Sequence, residues 1–357
     1  MIYYVATERF STTIRNFLTG FPEARQWLKS LTYEELFFER AGPVGHYIFT
    51  DFDRITRYEI ECLASFAASL EKLVPEAHIL NHPLRVLERL PLLVELHRKG
   101  INDFTANRIE CGERPPSYPA FIRAEDGYGG PETDLLRDDA GFDLALAGLQ
   151  DRGLPLRGRI AVGYAGERGA DGFFRKYGAF NIAGAILPHH IQRNRGWVVK
   201  KDIADLDWTI PRDRSDRLTE LAVTEEIDFV RDNPHEQTLA RAFSIAGIDF
   251  GRADYGIVNG RVQIYEINTN PSLPGRAKSD QRDAVRAVTR PRMIEALRAL
   301  NTPYVGSGRI RFTERQPKAH PSRVPRSRLP ASLVRRVLDH FVLGRIQSRP
   351  IGMDSGQ

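Results

Sequence analysis

The sequence predicts a fold of the α/β and α+β classes, in which an N-terminal domain with a parallel sheet precedes two mixed subdomains. Short apolar runs alternate with helical patterns over the first hundred residues, as in βαβ units. A proline-rich break at 113–119 starts a second region. Two strand patterns then flank an Asn-Gly dipeptide at 259–260, which is typical of a hairpin. A chain of 357 residues is long enough for two or three domains with a cleft between them.

The composition excludes several classes of protein. Hydrophobic residues make up 41% of the chain and charged residues 27%, which is typical of globular rather than disordered proteins. Because no run of about 18 apolar residues and no signal-peptide pattern occurs, we expect a cytoplasmic protein. The two cysteines, Cys62 and Cys111, are too few for a disulfide framework or a four-cysteine zinc site. We expect them to be unbridged.

The positive charge is concentrated at the C-terminus. Residues 309–357 contain 11 Arg or Lys and three acids, whereas the net charge of the whole chain is +5. A basic tail can bind nucleic acid or an anionic membrane. Its Pro, Ser and Arg content nevertheless predicts a mostly disordered extension over 311–357, with one helix at 331–346. We therefore expect neither a membrane nor a nucleic acid as partner.

The first predicted domain, 1–112, is the parallel-sheet domain. Helices are expected over 58–74 and from Pro83 to Gly100, since proline is favoured in a first helical turn and glycine just past a helix end. The strands are predicted at 45–51, 78–81 and 104–109.

The second predicted domain, 113–200, is the central subdomain. A glycine-bearing loop at 125–130 is too short and irregular for a Walker A or dinucleotide motif, so we interpret it as a mobile lid over phosphates. The regular elements are expected to be strands at 120–123 and 159–164, a helix at 133–150, and a hairpin over 173–188 that reverses near Ala183 and Gly184.

The third predicted domain, 201–310, contains a helix from Asn233 to Gly247 and a hairpin over 248–271. A two-residue turn at Asn259 and Gly260 would place Asp254 and Glu266 on opposite faces.

A three-residue reversal over 258–260, with Gly260 in the left-handed conformation, would instead place Arg252 opposite Glu266. This second register brings Arg252, Asp254, Glu266 and Asn268 to one face, and we expect it. Two carboxylates and an amide oxygen are hard ligands suited to Mg²⁺, and the arginine can bind phosphate oxygens.

At these residues the sequence resembles the ATP-grasp superfamily, whose C-terminal strands carry Arg-x-Asp and then Glu-x-Asn followed by a proline, here Pro271. Segments 78–83 and 100–105 look like the domain that precedes the ATP-grasp core in carboxylate–amine ligases. The resemblance covers most of 40–300. It implies ATP clamped between two subdomains, with Mg²⁺ or Mn²⁺ bridging its phosphates, and Asp254, Glu266 and Asn268 as metal ligands.

The resemblance also implies positions for nucleotide contacts. Arg123 stands where the superfamily has a phosphate-binding lysine, and one of Arg175 and Lys176, preferably Lys176, faces the cleft. The hinge that meets adenine is expected at four residues, Ile160, Ala161, Val162 and Gly163. Either Glu167 or Asp171 would bind the ribose, and the sequence does not distinguish them.

Two further positions invite interpretation. His189 and His190 are adjacent on a strand, so they should point to opposite faces and not chelate one metal. A structural or substrate-edge role is expected for them. Asn270 contacts phosphate or substrate, or else shapes the turn before Pro271.

We therefore expect an ATP- and Mg²⁺-dependent ligase that activates a small-molecule or peptide carboxylate as an acyl phosphate for attack by an amine or other nucleophile. Arg252 and Lys176 would stabilise the transition state. A phosphotransferase of the same fold and a non-catalytic nucleotide- or nucleic-acid-binding protein are the alternatives. The acceptor pocket is built from variable loops, so the sequence does not identify the substrate.

Overall fold

The computed structural model describes residues 1–110, 112–126, 129–199, 212–274, 283–312, 323 and 325–328. Its strands are β1 Ile2–Ala6, β2 Leu28–Thr32, β3 Ala41–Pro43, β4 His46–Phe49, β5 Ile79–Leu80, β6 Ala106–Arg108, β7 Ala120–Ala124, β8 Arg159–Gly163, β9 Phe174–Ile182, β10 Ala185–Asn194, β11 Phe250–Val258, β12 Arg261–Asn268 and β13 Arg309–Arg311. Its α-helices are α1 Thr12–Gly20, α2 Tyr33–Glu39, α3 Arg57–Leu73, α4 Arg89–Arg98, α5 Asp139–Asp151, α6 Arg212–Asp232, α7 Glu236–Ala246 and α8 Asp283–Ala299. Short 3₁₀ helices occupy Glu8–Phe10, Pro22–Gln26, Phe52–Arg54 and Arg326–Arg328.

The N-terminal domain is built on a parallel sheet, as predicted. Its strand order is β2-β1-β4-β5. Strand β1 is almost wholly apolar, which suits a strand covered on both faces. Helix α3 begins with a capping box, in which the Thr56 hydroxyl accepts from the Glu59 amide and the Glu59 carboxylate accepts from the Thr56 amide. The carboxyl ends of β1 and β4 place the following loops at one edge of the sheet.

A small antiparallel sheet with order β6-β8-β7 follows, covered by α5. The strand expected at 104–109 forms as β6, but it pairs antiparallel with β8 and does not join the parallel sheet. The helix expected from 133 begins only at Asp139. Residues before it are held against β7, where Glu132 donates its amide to the carbonyl of Ile122 and Leu136 pairs with Ala120.

The third sheet is antiparallel, with order β10-β9-β11-β12. The reversal between β9 and β10 lies at Ala183 and Gly184, as predicted, and both have positive φ, 50° and 95°. One hydrophobic cluster joins this sheet to the N-terminal domain; among its members are Tyr4, Phe17, Phe180, Phe250 and Leu297. The sheet that carries the motif is therefore packed directly on the first domain.

Two helices start later than the sequence predicts. Helix α4 begins at Arg89 rather than Pro83, because the preceding segment is held against α7 by a bond from the Leu87 amide to the Ala246 carbonyl, 2.9 Å. Helix α7 begins at Glu236 rather than Asn233. Asn233 is in the left-handed conformation, φ 47°, at the end of α6.

The C-terminal segment contributes to the N-terminal domain at several positions. Strand β13 pairs with β3, and both Ile310 and Phe312 are buried. Further along, Arg323 forms ion pairs with Glu34 and Glu59, at 3.2 and 2.7 Å. The helix expected at 331–346 lies outside the described residues.

The domain limits remain a prediction. Strands β9 and β10, which precede the limit at 200, pair into one sheet with β11 and β12, which follow it. Cys62 is buried and forms no disulfide with a described residue, whereas Cys111 lies outside the described residues. Among the described residues, the helices are all too short or too polar to cross a membrane.

Candidate functional site

The hairpin of β11 and β12 places the motif residues on one face, but through a different register from the predicted one. Val258 pairs with Arg261, so the reversal is the two-residue turn at Asn259 and Gly260, whose φ angles are 49° and 75°. The predicted three-residue reversal is therefore wrong.

A bulge at Tyr265 shifts the register of the two strands by one residue. Tyr255 pairs with Ile264, but the next pair is Asp254 with Glu266, so Tyr265 is the extra residue on β12. Gly256 makes room for the Tyr265 side chain, because a Cβ on it would lie 2.1 Å from the Tyr265 hydroxyl oxygen. The four motif residues consequently share one face, since directly opposed and alternate residues point the same way.

Asp254 is the buried acid of the site. Its side chain is 4% exposed and lies 2.8 Å from Arg252 Nε and 2.9 Å from Lys176 Nζ. Burial alone would raise the pKa of this carboxyl, but Arg252 and Lys176 outweigh it and hold the pKa well below its usual range. Asp254 is therefore a carboxylate held between two cations.

Glu266 is the more accessible acid and faces two arginines. Its Oε2 accepts from Arg89 Nη2 at 3.0 Å and lies 3.8 Å from Arg123 Nη1. Burial and the neighbouring Arg89 lower the pKa of Arg123 to about 10, so this guanidinium is charged at neutral pH. Two carboxylates are thus surrounded by four cations, which leaves positive charge available for an anionic ligand.

Asn268 and Asn270 connect the site to the N-terminal domain. The Asn268 side-chain oxygen accepts from the Asn270 amide at 2.8 Å. Asn270 in turn accepts from the Tyr4 hydroxyl at 2.7 Å and donates to Asp51 at 2.9 Å and to the Phe10 carbonyl at 3.2 Å. Of the roles considered for Asn270, these contacts favour the structural one, in which it shapes the turn before Pro271.

Lys176 and Arg175 point to different surroundings, as strand alternation requires. Lys176 contacts Asp254, whereas Arg175 bonds to Glu225 at 2.8 Å and Asp171 at 2.6 Å. Glu225 belongs to α6, so Arg175 anchors that helix to the sheet. Of the two candidates, Lys176 is the one that adjoins the motif.

A largely apolar pocket of about 700 Å³, including space open to solvent, lies beside these cations. Val162, Gly163 and the residues up to Glu167 form one wall. The Trp197 ring lies 5.3 Å from Phe121 and 5.5 Å from Tyr164, centroid to centroid. This volume and these aromatic walls are of the size and chemistry that hold a heterocycle.

The four predicted hinge residues differ in their position relative to the pocket. Ile160 and Ala161 lie inside β8, which is the central strand of its sheet, so β6 and β7 use their backbone groups. Val162 and Gly163 do reach the pocket.

The two acids considered for the ribose differ in position. Glu167 lines the aromatic pocket and accepts from the Asn259 amide at 2.7 Å. Asp171 is bound to Arg175, which lowers its pKa through hydrogen bonds although burial opposes this. The geometry favours Glu167.

A second cleft adjoins Glu266 on the side of the N-terminal domain. Acids line it, and three of them, Asp53, Glu88 and Asp126, have pKa values raised mainly by burial. Glu266 and Asn268 also line this cleft. The motif therefore lies between an aromatic pocket and an acidic cleft.

Several residues of the site were missed by the sequence analysis. Arg89 bonds to Glu266 and to the Glu125 carbonyl, yet nothing in the helix predicted from Pro83 singled it out. Tyr265 bonds to the Ala165 carbonyl at 2.8 Å and lines the aromatic pocket. Gly256, on the strand paired with that of Tyr265, was the one signal in the sequence that a large side chain packs there.

The histidine pair differs from expectation. A register shift between Pro188 and His190 interrupts the alternation of β10. As a result the Nδ1 atoms of His189 and His190 lie 2.9 Å apart rather than on opposite faces. Among the described residues, no group of three or more His, Cys, Asp or Glu is arranged to hold a metal.

The donors at the motif fit Mg²⁺ in their chemistry. Asp254, Glu266 and Asn268 present oxygen ligands on one face, and the ion pairs of both acids show that each attracts cations there. Amide and carboxylate oxygens with room for phosphate are the usual Mg²⁺ ligands.

No protein-family model matches this sequence, and no curated protein matches it. The structure is similar to the D-alanine–D-alanine ligase of Bacillus anthracis complexed with ATP, with a TM-score of 0.47 and 10% identity over 84% of this chain and 96% of that one. The enzyme of Coxiella burnetii gives a TM-score of 0.44 and 12% identity over 84% and 94%.

The ATP-grasp ligase PsnB, complexed with a precursor variant, Mg and ADP, gives a TM-score of 0.45 and 9% identity over 84% of this chain and 97% of that one. These neighbours are ATP-grasp ligases, the superfamily that residues 252–271 resemble. The ATP-grasp fold predicted from the sequence is the fold of these neighbours.

Proposed function

We propose that this protein is an ATP- and Mg²⁺-dependent ligase that converts a carboxylate into an acyl phosphate, which an amine or another nucleophile then attacks. The observation that supports this proposal most strongly is the arrangement of two carboxylates among four cations. Arg252 and Lys176 flank Asp254, and Arg89 and Arg123 face Glu266. A triphosphate carries the negative charge that such a cluster attracts.

The aromatic pocket is the proposed adenosine site. Its walls at Phe121, Tyr164 and Trp197 can stack on a purine, and Glu167 is placed to accept bonds from a ribose. The Tyr164 hydroxyl is shielded from solvent and has no hydrogen-bond partner among the described residues, as expected where a polar ligand binds. Lys176 and Arg123 line the same pocket and lead from it to the motif.

Asp254, Glu266 and Asn268 are the proposed ligands of Mg²⁺, with Mn²⁺ as a substitute. When bound, the metal would neutralise charge on the phosphate oxygens and orient them for in-line displacement. To bind it, Glu266 must exchange its arginines for the metal, and the phosphates would take over those arginines. The acids hold the metal and do not transfer protons.

The chemistry requires two transfers. A carboxylate oxygen of the acceptor attacks the terminal phosphorus and releases ADP, and the cations Arg252 and Lys176 stabilise the charge that spreads over the phosphoryl oxygens. The nucleophile then attacks the acyl carbon, and the carbon–oxygen bond to phosphate breaks to release inorganic phosphate. The acidic cleft beside Glu266 is the proposed place for these small-molecule or peptide substrates.

Two measurements test the proposal. Titration calorimetry should detect binding of ATP in the presence of Mg²⁺ and weaker binding after addition of a chelator. Hydroxylamine added with ATP and a panel of carboxylates should then yield an acyl hydroxamate, because it captures an acyl phosphate. ATP-dependent phosphorylation of an alcohol without hydroxamate would indicate a phosphotransferase, and absence of nucleotide binding would exclude both activities.

A further inference from the structure

His190 lies in the same row of residues as the two acids of the motif. It is paired with Gly178 on β9, Gly178 with Asp254 on β11, and Asp254 with Glu266 on β12. Directly opposed residues of neighbouring antiparallel strands point to the same face. His190 is therefore on the face that carries the proposed metal ligands, although it is distant from them in sequence.

A glycine makes room for the imidazole. A Cβ on Gly178 would lie 2.4, 2.7 and 2.9 Å from the Cε1, Nε2 and Nδ1 atoms of His190. Because three ring atoms are this close, the ring lies over the backbone of β9, on the side of the strand next to Asp254. A side chain at 178 would displace it.

The two ring nitrogens of His190 differ in their contacts. Nδ1 lies 2.9 Å from His189 Nδ1, whereas Nε2 is shielded from solvent and has no hydrogen-bond partner among the described residues. If His189 donates, Nε2 of His190 carries the hydrogen. A shielded polar group without a partner is destabilising, so such a group calls for an explanation in terms of a ligand.

The charges around His190 Nε2 favour an anion as its ligand. Arg252 and Lys176 both contact Asp254, at 2.8 and 2.9 Å, and so lie on the face that carries His190. Both cations would draw phosphate oxygens to this face. Lys176 lines the aromatic pocket, and Gly178 lies two residues further along β9, one row away from the pocket. A triphosphate that starts in the pocket would therefore bring its terminal group towards His190.

We propose that His190 Nε2–H donates a hydrogen bond to an oxygen of the γ-phosphoryl group, and so helps the site to distinguish ATP from ADP. This inference rests on the proposed function. It assigns a ligand contact to a residue outside the sequence motif.

The test compares a non-hydrolysable ATP analogue, AMP-PNP, with ADP, each with Mg²⁺, by titration calorimetry on the full chain. In His190→Phe the ring remains but the donor is lost, so affinity for AMP-PNP should fall about tenfold while affinity for ADP changes less than twofold. In His190→Gln an amide N–H can occupy the place of Nε2, so most of the preference should return. His235→Phe is the control, since His235 bonds to Tyr255 on the other face of the sheet.

An unchanged ratio of the two affinities in His190→Phe would overturn the inference, and so would an equal loss for both nucleotides. If His190→Phe does not fold, the ratio in His190→Gln compared with the shorter His190→Asn decides the question in the same way. A wild-type protein that binds neither nucleotide would refute the proposed function together with this inference. Wild-type binding with an unchanged ratio in the variant would refute the inference alone.

Discussion

Asp254 and Glu266 lie directly opposite each other on β11 and β12, although the turn that joins these strands sets a register that would separate them. The bulge at Tyr265 shifts the pairing by one residue and brings both acids to one face. The site thus depends on a local irregularity within the strand rather than on its turn. The arrangement of charges that results leads to the following expectations.

Glu266→Gln keeps the shape of the side chain and removes its charge. If Glu266 binds the metal, ATP turnover should fall by two or more orders of magnitude, which corresponds to roughly 3 kcal/mol of transition-state stabilisation. The melting temperature should change little, because the side chain is 32% exposed. The control is Glu61→Gln on α3. Turnover near that of the wild type would remove the metal role, and a collapse of the melting temperature would make Glu266 a structural partner of its arginines.

Lys176→Met and Arg175→Met form a matched pair on one strand. Lys176→Met should weaken ATP binding tenfold or more, because it removes a cation from the proposed phosphate site, and it should also lower the melting temperature, because the buried Asp254 then keeps only Arg252 as a partner. Arg175→Met should instead destabilise the protein by about 1–3 kcal/mol, because Glu225 and Asp171 lose their partner. Calorimetry and denaturant unfolding measure the two effects. An equal loss of ATP affinity in both variants would contradict the assignment of faces.

Gly256→Ala tests the bulge. The added methyl group would meet the Tyr265 side chain, so we expect a loss of about 1–3 kcal/mol and weaker ATP binding, since Tyr265 lines the aromatic pocket. Gly148→Ala is the control: nothing lies within 4 Å of a Cβ at this position in α5, and a helix gains about 0.5–1 kcal/mol from the exchange. Urea unfolding of both variants would show opposite signs. If Gly256→Ala has the stability and the ATP affinity of the wild type, the Tyr265 side chain does not require a glycine at this position.

Arg323→Ala tests the docking of the C-terminal segment. Arg323 donates to Glu59 at 2.7 Å, to Glu34 at 3.2 Å and to the Arg54 carbonyl at 2.7 Å, and its side chain is 14% exposed. Its loss should cost about 1–3 kcal/mol in urea unfolding, as expected for charged groups left partly buried. Truncation after Phe312 should cost a similar amount.

The control for this prediction is Arg328→Ala, because Arg328 is 61% exposed in its pair with Glu39 and should contribute almost nothing. Equal unfolding curves for Arg323→Ala and the wild type would show that the contact is not stabilising. They would also favour the sequence expectation that the tail contributes little.

The sequence was sufficient for some parts of this site and not for others. The faces of Arg252, Asp254, Glu266 and Asn268 were predicted correctly because carboxylates two residues apart from an arginine or an amide share a strand face by simple alternation. The predicted reversal over 258–260 was nevertheless wrong. The observed bulge at Tyr265 depends on contacts between the two strands, which the pattern of residues along one strand does not show.

Other differences have the same origin in tertiary contacts. Arg89 could not be identified because its helix begins where α7 allows it to, and not where Pro83 suggests. The position of β8 at the centre of its sheet moved the accessible backbone beyond Ile160 and Ala161. The histidine pair departed from simple strand alternation because of a register shift beside Pro188, a residue type that strands accept mainly at edges and bulges.

The hydrophobic cluster shared by the first domain and the motif-bearing sheet makes them one cooperative unit. Tyr4 and Phe17 pack with Phe250, and the hydroxyl of Tyr4 also restrains Asn270 beside the motif. A fragment that starts at 113 would retain every acid of the motif but would lose this support. The first domain thus supports the site, and we expect a protein divided before 113 to lose the order of the motif.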